Sequence, residues 1–218
     1  MSYDGVVFDM DGVLLEPAGP ELLHDAARRA FEACGVTDPP DEHVEEIMLG
    51  VDVATLEEVC THHGLDRETF WRTRDAYASR FQVRAALDGG KPPYDDVDAL
   101  GELSVPMGVV STNQQATVDF LLSEYGLAEH FAVAYGRAPS VEDLRRKKPA
   151  PHFLERTMAD LDVSNPLFVG DSESDVGAAV NAGVDAAFVR RPHREGLDLS
   201  VAPEYEVADL TELPPLVE

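Results

Sequence analysis

Tyr3-Asp4-Gly5-Val6-Val7-Phe8-Asp9-Met10-Asp11-Gly12 is the stretch that decides the fold of this chain. Its short apolar, β-branched run reads as a buried strand, and two carboxylates follow directly where the strand ends. Comparable runs recur at Val105 to Val110, Phe131 to Tyr135, Leu167 to Val169 and Ala186 to Val189. Helical patterns lie between most of them. They run over Asp96 to Leu103, Ala116 to Tyr125 with Gly126 as a stop, Pro151 to Leu161, and Asp175 to Ala182 closed by Gly183. Strands alternating with helices predict an α/β fold: a Rossmann-like parallel sheet with helices on both faces. The tail from Pro203 is expected to add a short edge strand and a last helix.

One segment breaks the alternation. Residues 16–87 carry only helical periodicity, at Leu22 to Cys34, Glu42 to Leu49, Ala54 to His63 and Arg67 to Val83. Asp38-Pro39-Pro40, Gly50 and Gly64 supply the turns between them. The expected division is a core domain of residues 1–15 and 88–218, with an inserted all-helical cap domain of residues 16–87. Two linkers rich in glycine and proline, Leu15 to Pro20 and Asp88 to Pro93, would join them.

Composition narrows the function. Of 218 residues 44% are hydrophobic, enough for a substantial core, while no apolar run approaches the ~20 residues of a membrane span. No basic stretch precedes the first strand, so no signal peptide is expected, and Cys34 and Cys60 lack metal or redox spacing. Both features predict a cytoplasmic protein. Asp and Glu number 42 against 17 Lys and Arg, a formal net charge of -25, which argues against nucleic acid or an anionic membrane as partner. The only lysines are Lys91, Lys147 and Lys148. Acid excess with so little lysine matches the style of salt-accumulating halophiles, and a halophilic character is the expectation.

The chemistry comes from four motifs. Extended backbone would put Asp9 and Asp11 on one face, and Gly12 then lets the chain turn sharply. Adjacent carboxylates repel unless a cation intervenes. With Mg²⁺ bound, Asp9 can stay ionised and attack phosphorus, while Asp11 protonates the leaving alkoxide and later deprotonates water. An EF-hand reading fails, because Val13 stands at the next ligand position and Gly12 comes too early. Ser111-Thr112-Asn113, at a strand-to-helix turn, offers a hydroxyl and backbone N–H groups to a phosphate, or a helix N-cap. Lys148, fixed by Pro149, can hold a transferring phosphoryl and stabilise Asp9, whereas Arg145 and Arg146 read as solvated. Asp171 is the expected direct metal ligand after Leu167-Phe168-Val169-Gly170, with Asp175 one turn later as an outer partner. The histidines show no HExxH-type spacing, and His62-His63 reads as a helix end.

These residues resemble the haloacid dehalogenase superfamily of phosphohydrolases over nearly the entire chain. Val6 to Val13 looks like its first motif, Val109-Val110-Ser111 its second, Lys148 to Pro151 its third and Gly170 to Asp175 its fourth. The resemblance implies that Mg²⁺ is held by the Asp9 carboxylate, the Asp11 backbone carbonyl and the Asp171 carboxylate. It also implies hydrolysis of a small phosphorylated metabolite through an aspartyl-phosphate intermediate, with phosphoglycolate and sugar phosphates as family-level substrates. True dehalogenases lack the second acid, here Asp11. Mutases of the β-phosphoglucomutase type carry a cap histidine where this chain has Glu21, and Gly50-Val51-Asp52-Val53 lacks the arginine of their specificity loop. Phosphonate hydrolases use a cap lysine, and residues 16–87 contain none. Glu16-Pro17 departs from the usual Asp-Ser/Thr at the hinge. The alternatives are a phosphosugar mutase, or a binding module that kept the fold without catalysis.

Overall fold

The computed structural model describes residues 2–217. Six strands form its sheet: β1 (Gly5–Phe8), β2 (Met107–Gln114), β3 (Val133–Arg137), β4 (Pro166–Gly170), β5 (Ala186–Val189) and β6 (Tyr205–Val207). All pairings are parallel, in the order β3-β2-β1-β4-β5-β6. The apolar runs are continuous because both faces are covered. Val6, Phe8, Leu167 and Val169 enter one apolar cluster, while Val7, Phe168 and Phe188 enter the cluster on the opposite face.

Four helices lie between β1 and β2: α1 (Pro20–Ala33), α2 (Asp41–Met48), α3 (Val53–His63) and α4 (Arg67–Leu87). They gather round a cluster of their own, containing Phe31, Ile47, Leu56, Phe70 and Trp71. Asp52 and Asp66 cap α3 and α4 by accepting from the Thr55 and Thr69 N–H groups. After β2 come α5 (Gln115–Glu124), α6 (Val141–Arg146), α7 (His152–Leu161), α8 (Glu173–Ala182) and α9 (Pro214–Val217). Val141 and Leu144 of α6 join the apolar cluster of the first four helices.

Three local expectations need correction. The segment expected as a helix from Asp96 to Leu103 forms a 3₁₀ helix over Val97–Glu102. It is short and contains Gly101, which weakens an α-helix by about 1 kcal/mol. Helix α4 runs on to Leu87 rather than stopping near Val83. Strand β2 continues through Ser111, Thr112 and Asn113 to Gln114, with its pairing to β3 shifted between Val110 and Gln114, and Gln114 occupies the N-cap of α5. Ser-Thr-Asn is therefore an irregular strand end and not a helix cap.

Strand order reverses between β1 and β4, since β2 and β3 lie on one side and β5 and β6 on the other. Crevices at such a point, outside the carboxyl ends of the strands, are where doubly wound sheets hold ligands. Phe8 lies level with Val109 and Val169, so the residues that follow emerge side by side.

Candidate active site

Asp9 and Asp171 leave β1 and β4 at that reversal. With Asp175 of α8 they bring carboxylate oxygens within 4.8 Å of one another, all three being buried. Two glycines permit the approach. A Cβ at Gly12, where φ is +84°, would lie 2.2 Å from Asp171 Oδ2, and a Cβ at Gly170 would lie 2.2 Å from Asp175 Cβ. Ser172 caps α8 reciprocally with Asp175, whose Oδ2 accepts the Ser172 N–H at 3.0 Å. Asp175 is thereby fixed in rotamer, with Oδ1 turned to Lys148.

Lys148 Nζ lies 2.7 Å from Asp9 Oδ1 and 2.5 Å from Asp175 Oδ1, and it donates to the Val110 carbonyl at 3.2 Å. Burial alone would lower its pKa, but the Asp175 and Asp9 carboxylates outweigh burial and hold the ammonium firmly charged. Burial pushes Asp9 well above the ordinary carboxylate range; Lys148 opposes this, and the negative Asp175 and Asp171 add to it. Arg194 Nε and His193 Nε2 each lie 2.8 Å from Asp171 Oδ2. Three carboxylates thus face two permanent cations, Lys148 and Arg194. That leaves an excess of negative charge in an all-oxygen donor set, which fits a hard divalent cation.

Asp11 is held apart from this cluster. Its Oδ1 lies 2.5 Å from Lys91 Nζ, and its Oδ2 accepts from Asn113 Nδ2 at 2.7 Å. Lys91 is fully buried and also donates to the Glu16 carbonyl at 3.1 Å. Asn113 Oδ1 in turn accepts from Gln82 of α4 at 2.8 Å. Ser111 is buried, its Oγ accepting the Asn113 N–H at 3.1 Å, whereas Thr112 and Asn113 line the cavity.

That cavity has a volume of about 540 Å³. Asp9, Asp11 and Asp171 form one wall, and Met48, Leu49 and Arg74 belong to the wall supplied by the inserted helices. Buried Asp75 of α4 receives Arg137 of β3 through both guanidinium nitrogens, Gln114 Nε2 at 2.9 Å and Arg74 Nη1 at 3.1 Å. The guanidinium carbons of Arg74 and Arg137 lie 5.0 Å and 4.8 Å from the centroid of the Trp71 ring. Lys147 donates to the Val51 carbonyl, and burial, with Arg137 and Arg74 nearby, lowers its pKa to about 8.

The structure therefore brings Asp9, Asp11, Lys148, Thr112, Asn113, Asp171 and Asp175 to one crevice, with Ser111 directly behind it. Reading the sequence missed Lys91, Gln82, Asp75, His193 and Arg194. For Lys91 a signal was present, since all three lysines of this lysine-poor chain stand at the site.

A phosphoglycolate phosphatase of Neisseria meningitidis serogroup A is 29% identical over 187 residues, covering 82% of this chain and 76% of the relative. An N-acetylmuramic acid 6-phosphate phosphatase of Pseudomonas aeruginosa is 25% identical, covering 96% and 95%. Among solved structures, CbbY of Rhodobacter sphaeroides in complex with phosphate superposes with a TM-score of 0.71 at 20% identity, covering 97% of this chain and 96% of that one. Residues 6–189 match the haloacid dehalogenase-like hydrolase family, a range that takes in the sheet as far as β5 and the helices inserted after β1. The chain belongs to that family.

Proposed function

We propose that the protein is a Mg²⁺-dependent phosphatase that hydrolyses a small phosphomonoester through an aspartyl phosphate on Asp9. The observation that carries this reading is the placement of Lys148, 2.7 Å from Asp9, beside three clustered carboxylates at the strand reversal. Asp9, Asp171 and the backbone of Asp11 would hold the metal, with Asp175 behind them. Bound there, Mg²⁺ offsets the charge of the carboxylates and of the phosphoryl oxygens.

The protein's own groups account for the remaining chemistry. The Asp9 carboxylate attacks phosphorus, and the bond from phosphorus to the leaving oxygen breaks. Asp11 delivers a proton to that oxygen. It then takes a proton from water, whose oxygen attacks the acyl phosphate; the bond between phosphorus and Asp9 breaks, and orthophosphate leaves. Lys148 remains an ammonium throughout, facing the phosphoryl oxygens, and Thr112 and Asn113 border the same space. Residues 16–87 serve as the cap, which limits water and reads the leaving group through Leu49, Arg74 and the neighbouring Lys147.

Arg74, Arg137 and Lys147 line the cavity together with Asp52, and buried Asp75 pairs with the two arginines from behind, so the basic groups outnumber these two acids. A substrate carrying a carboxylate besides its phosphate suits this lining. Phosphoglycolate and N-acetylmuramic acid 6-phosphate, the compounds named for the two relatives, both have one. The test is phosphate release from p-nitrophenyl phosphate and from a panel of phosphorylated acids and sugars. Wild type is expected to require Mg²⁺, to prefer phosphorylated acids, and to lose activity ~10²-fold or more as Asp11→Asn. Equal rates for wild type and Asp9→Asn would overturn the reading.

A further inference from the structure

A second group of metal-type ligands lies in the inserted helices. His43 stands at the start of α2, and His62 and His63 end α3. One ring nitrogen from each lies within 4.8 Å of the others, and His43 Nδ1 is 2.9 Å from His63 Nε2. The three rings meet edge to face, with centroids 4.6–5.0 Å apart. His62 is exposed, while His43 and His63 are partly covered and His63 packs against Phe31.

We infer that His43, His62 and His63 form a binding site for a borderline divalent transition ion, zinc in the first instance, apart from the active site. Three neutral imidazoles are the ligands that zinc, copper and nickel prefer and that magnesium avoids. Tetrahedral zinc at its usual bond length to imidazole holds its nitrogens roughly 3.4 Å apart, with a water in the fourth place. The observed separations, from 2.9 Å to within 4.8 Å, bracket that value.

The position gives the site a consequence. Helices α2 and α3 form a hairpin whose connecting loop, residues 49–52, lines the cavity together with Met48. The histidines join the open end of that hairpin, about 9 Å from the loop along α2. A metal there staples the element that presents the loop. Sequence spacing conceals the set, because His43 and the His62-His63 pair are brought together only by the hairpin.

Full-length protein stripped of metal and saturated with Mg²⁺ is titrated with zinc by calorimetry, and with Co²⁺ by visible absorption. Wild type is expected to bind one zinc per chain, to give the intense bands of tetrahedral cobalt, and to melt higher with zinc. His62→Ala changes an exposed side chain and should lower zinc affinity at least about tenfold while removing the cobalt bands. Asp171→Asn should keep both. Zinc uptake that is absent in wild type, unchanged in His62→Ala, or lost in Asp171→Asn overturns the assignment. None of these readouts depends on phosphatase activity.

Discussion

Asp9 is the residue where stability and chemistry conflict. It is buried beside Asp171 and Asp175, with only Lys148 to balance it directly. Without metal, its raised pKa means the folded state binds a proton that the unfolded state has released. Its contribution to stability is therefore lost as pH climbs through the folded value. Asp9→Asn removes this charge and leaves Asp171 with Arg194 and Asp175 with Lys148. In EDTA at neutral pH the variant is expected to be about 0.5–2 kcal/mol more stable than wild type by urea denaturation, although inactive. Lys147 titrates differently. Its pKa of about 8 places the loss of its charge within reach of experiment, so KM for an acidic substrate should rise as pH passes 8, with kcat little changed. Lys147→Met should show the high KM at every pH.

Among the elements, α4 ties the inserted helices to the sheet. Asp75, 1% exposed, joins Arg74, Arg137 and Gln114, and Gln82 and Ser79 reach Asn113 and Thr117 from the same helix. Asp75→Ala leaves two guanidinium groups buried without their carboxylate. It is expected to cost about 3–5 kcal/mol of stability, measured by urea denaturation. Lys91 performs a similar task between the two linkers, touching Asp11 from one and the Glu16 carbonyl of the other. Lys91→Met should lower kcat at least about tenfold, part of what general acid–base catalysis supplies, and leave KM nearly unchanged. Neither set of pairings was legible in the sequence, although the scarcity of lysine marked Lys91 itself. The chain signals local periodicity and motifs, whereas Asp75–Arg137, Asp11–Lys91 and Asp171–Arg194 join positions far apart with no shared pattern. The strands were legible for the opposite reason. Val6-Val7-Phe8 and Leu167-Phe168-Val169 are buried on both faces, and uninterrupted apolar residues record that directly. Ser111 to Asn113 misled because hydroxyl and amide residues suit both a helix cap and an irregular strand end.

At the scale of the molecule, a parallel sheet whose order reverses between β1 and β4 gathers acids from distant segments at one crevice. The surface contributes a field of its own. A net charge of -25 repels an anionic substrate at low ionic strength, and the Debye length falls from ~10 Å at 0.1 M salt to ~3 Å at 1 M. We expect activity and melting temperature to rise together from low to molar KCl. Flat curves would remove the halophilic interpretation and leave the chemistry untouched. No helix among the described residues is long and apolar enough to cross a membrane.

The chemistry itself is tested most directly by rapid acid quench during turnover of a phosphomonoester with Mg²⁺, followed by peptide mass spectrometry. One phosphoryl group is expected on the peptide containing Asp9, absent from Asp9→Asn and without Mg²⁺. A phosphoryl group on another residue, or undiminished phosphate release by Asp9→Asn, would contradict the account.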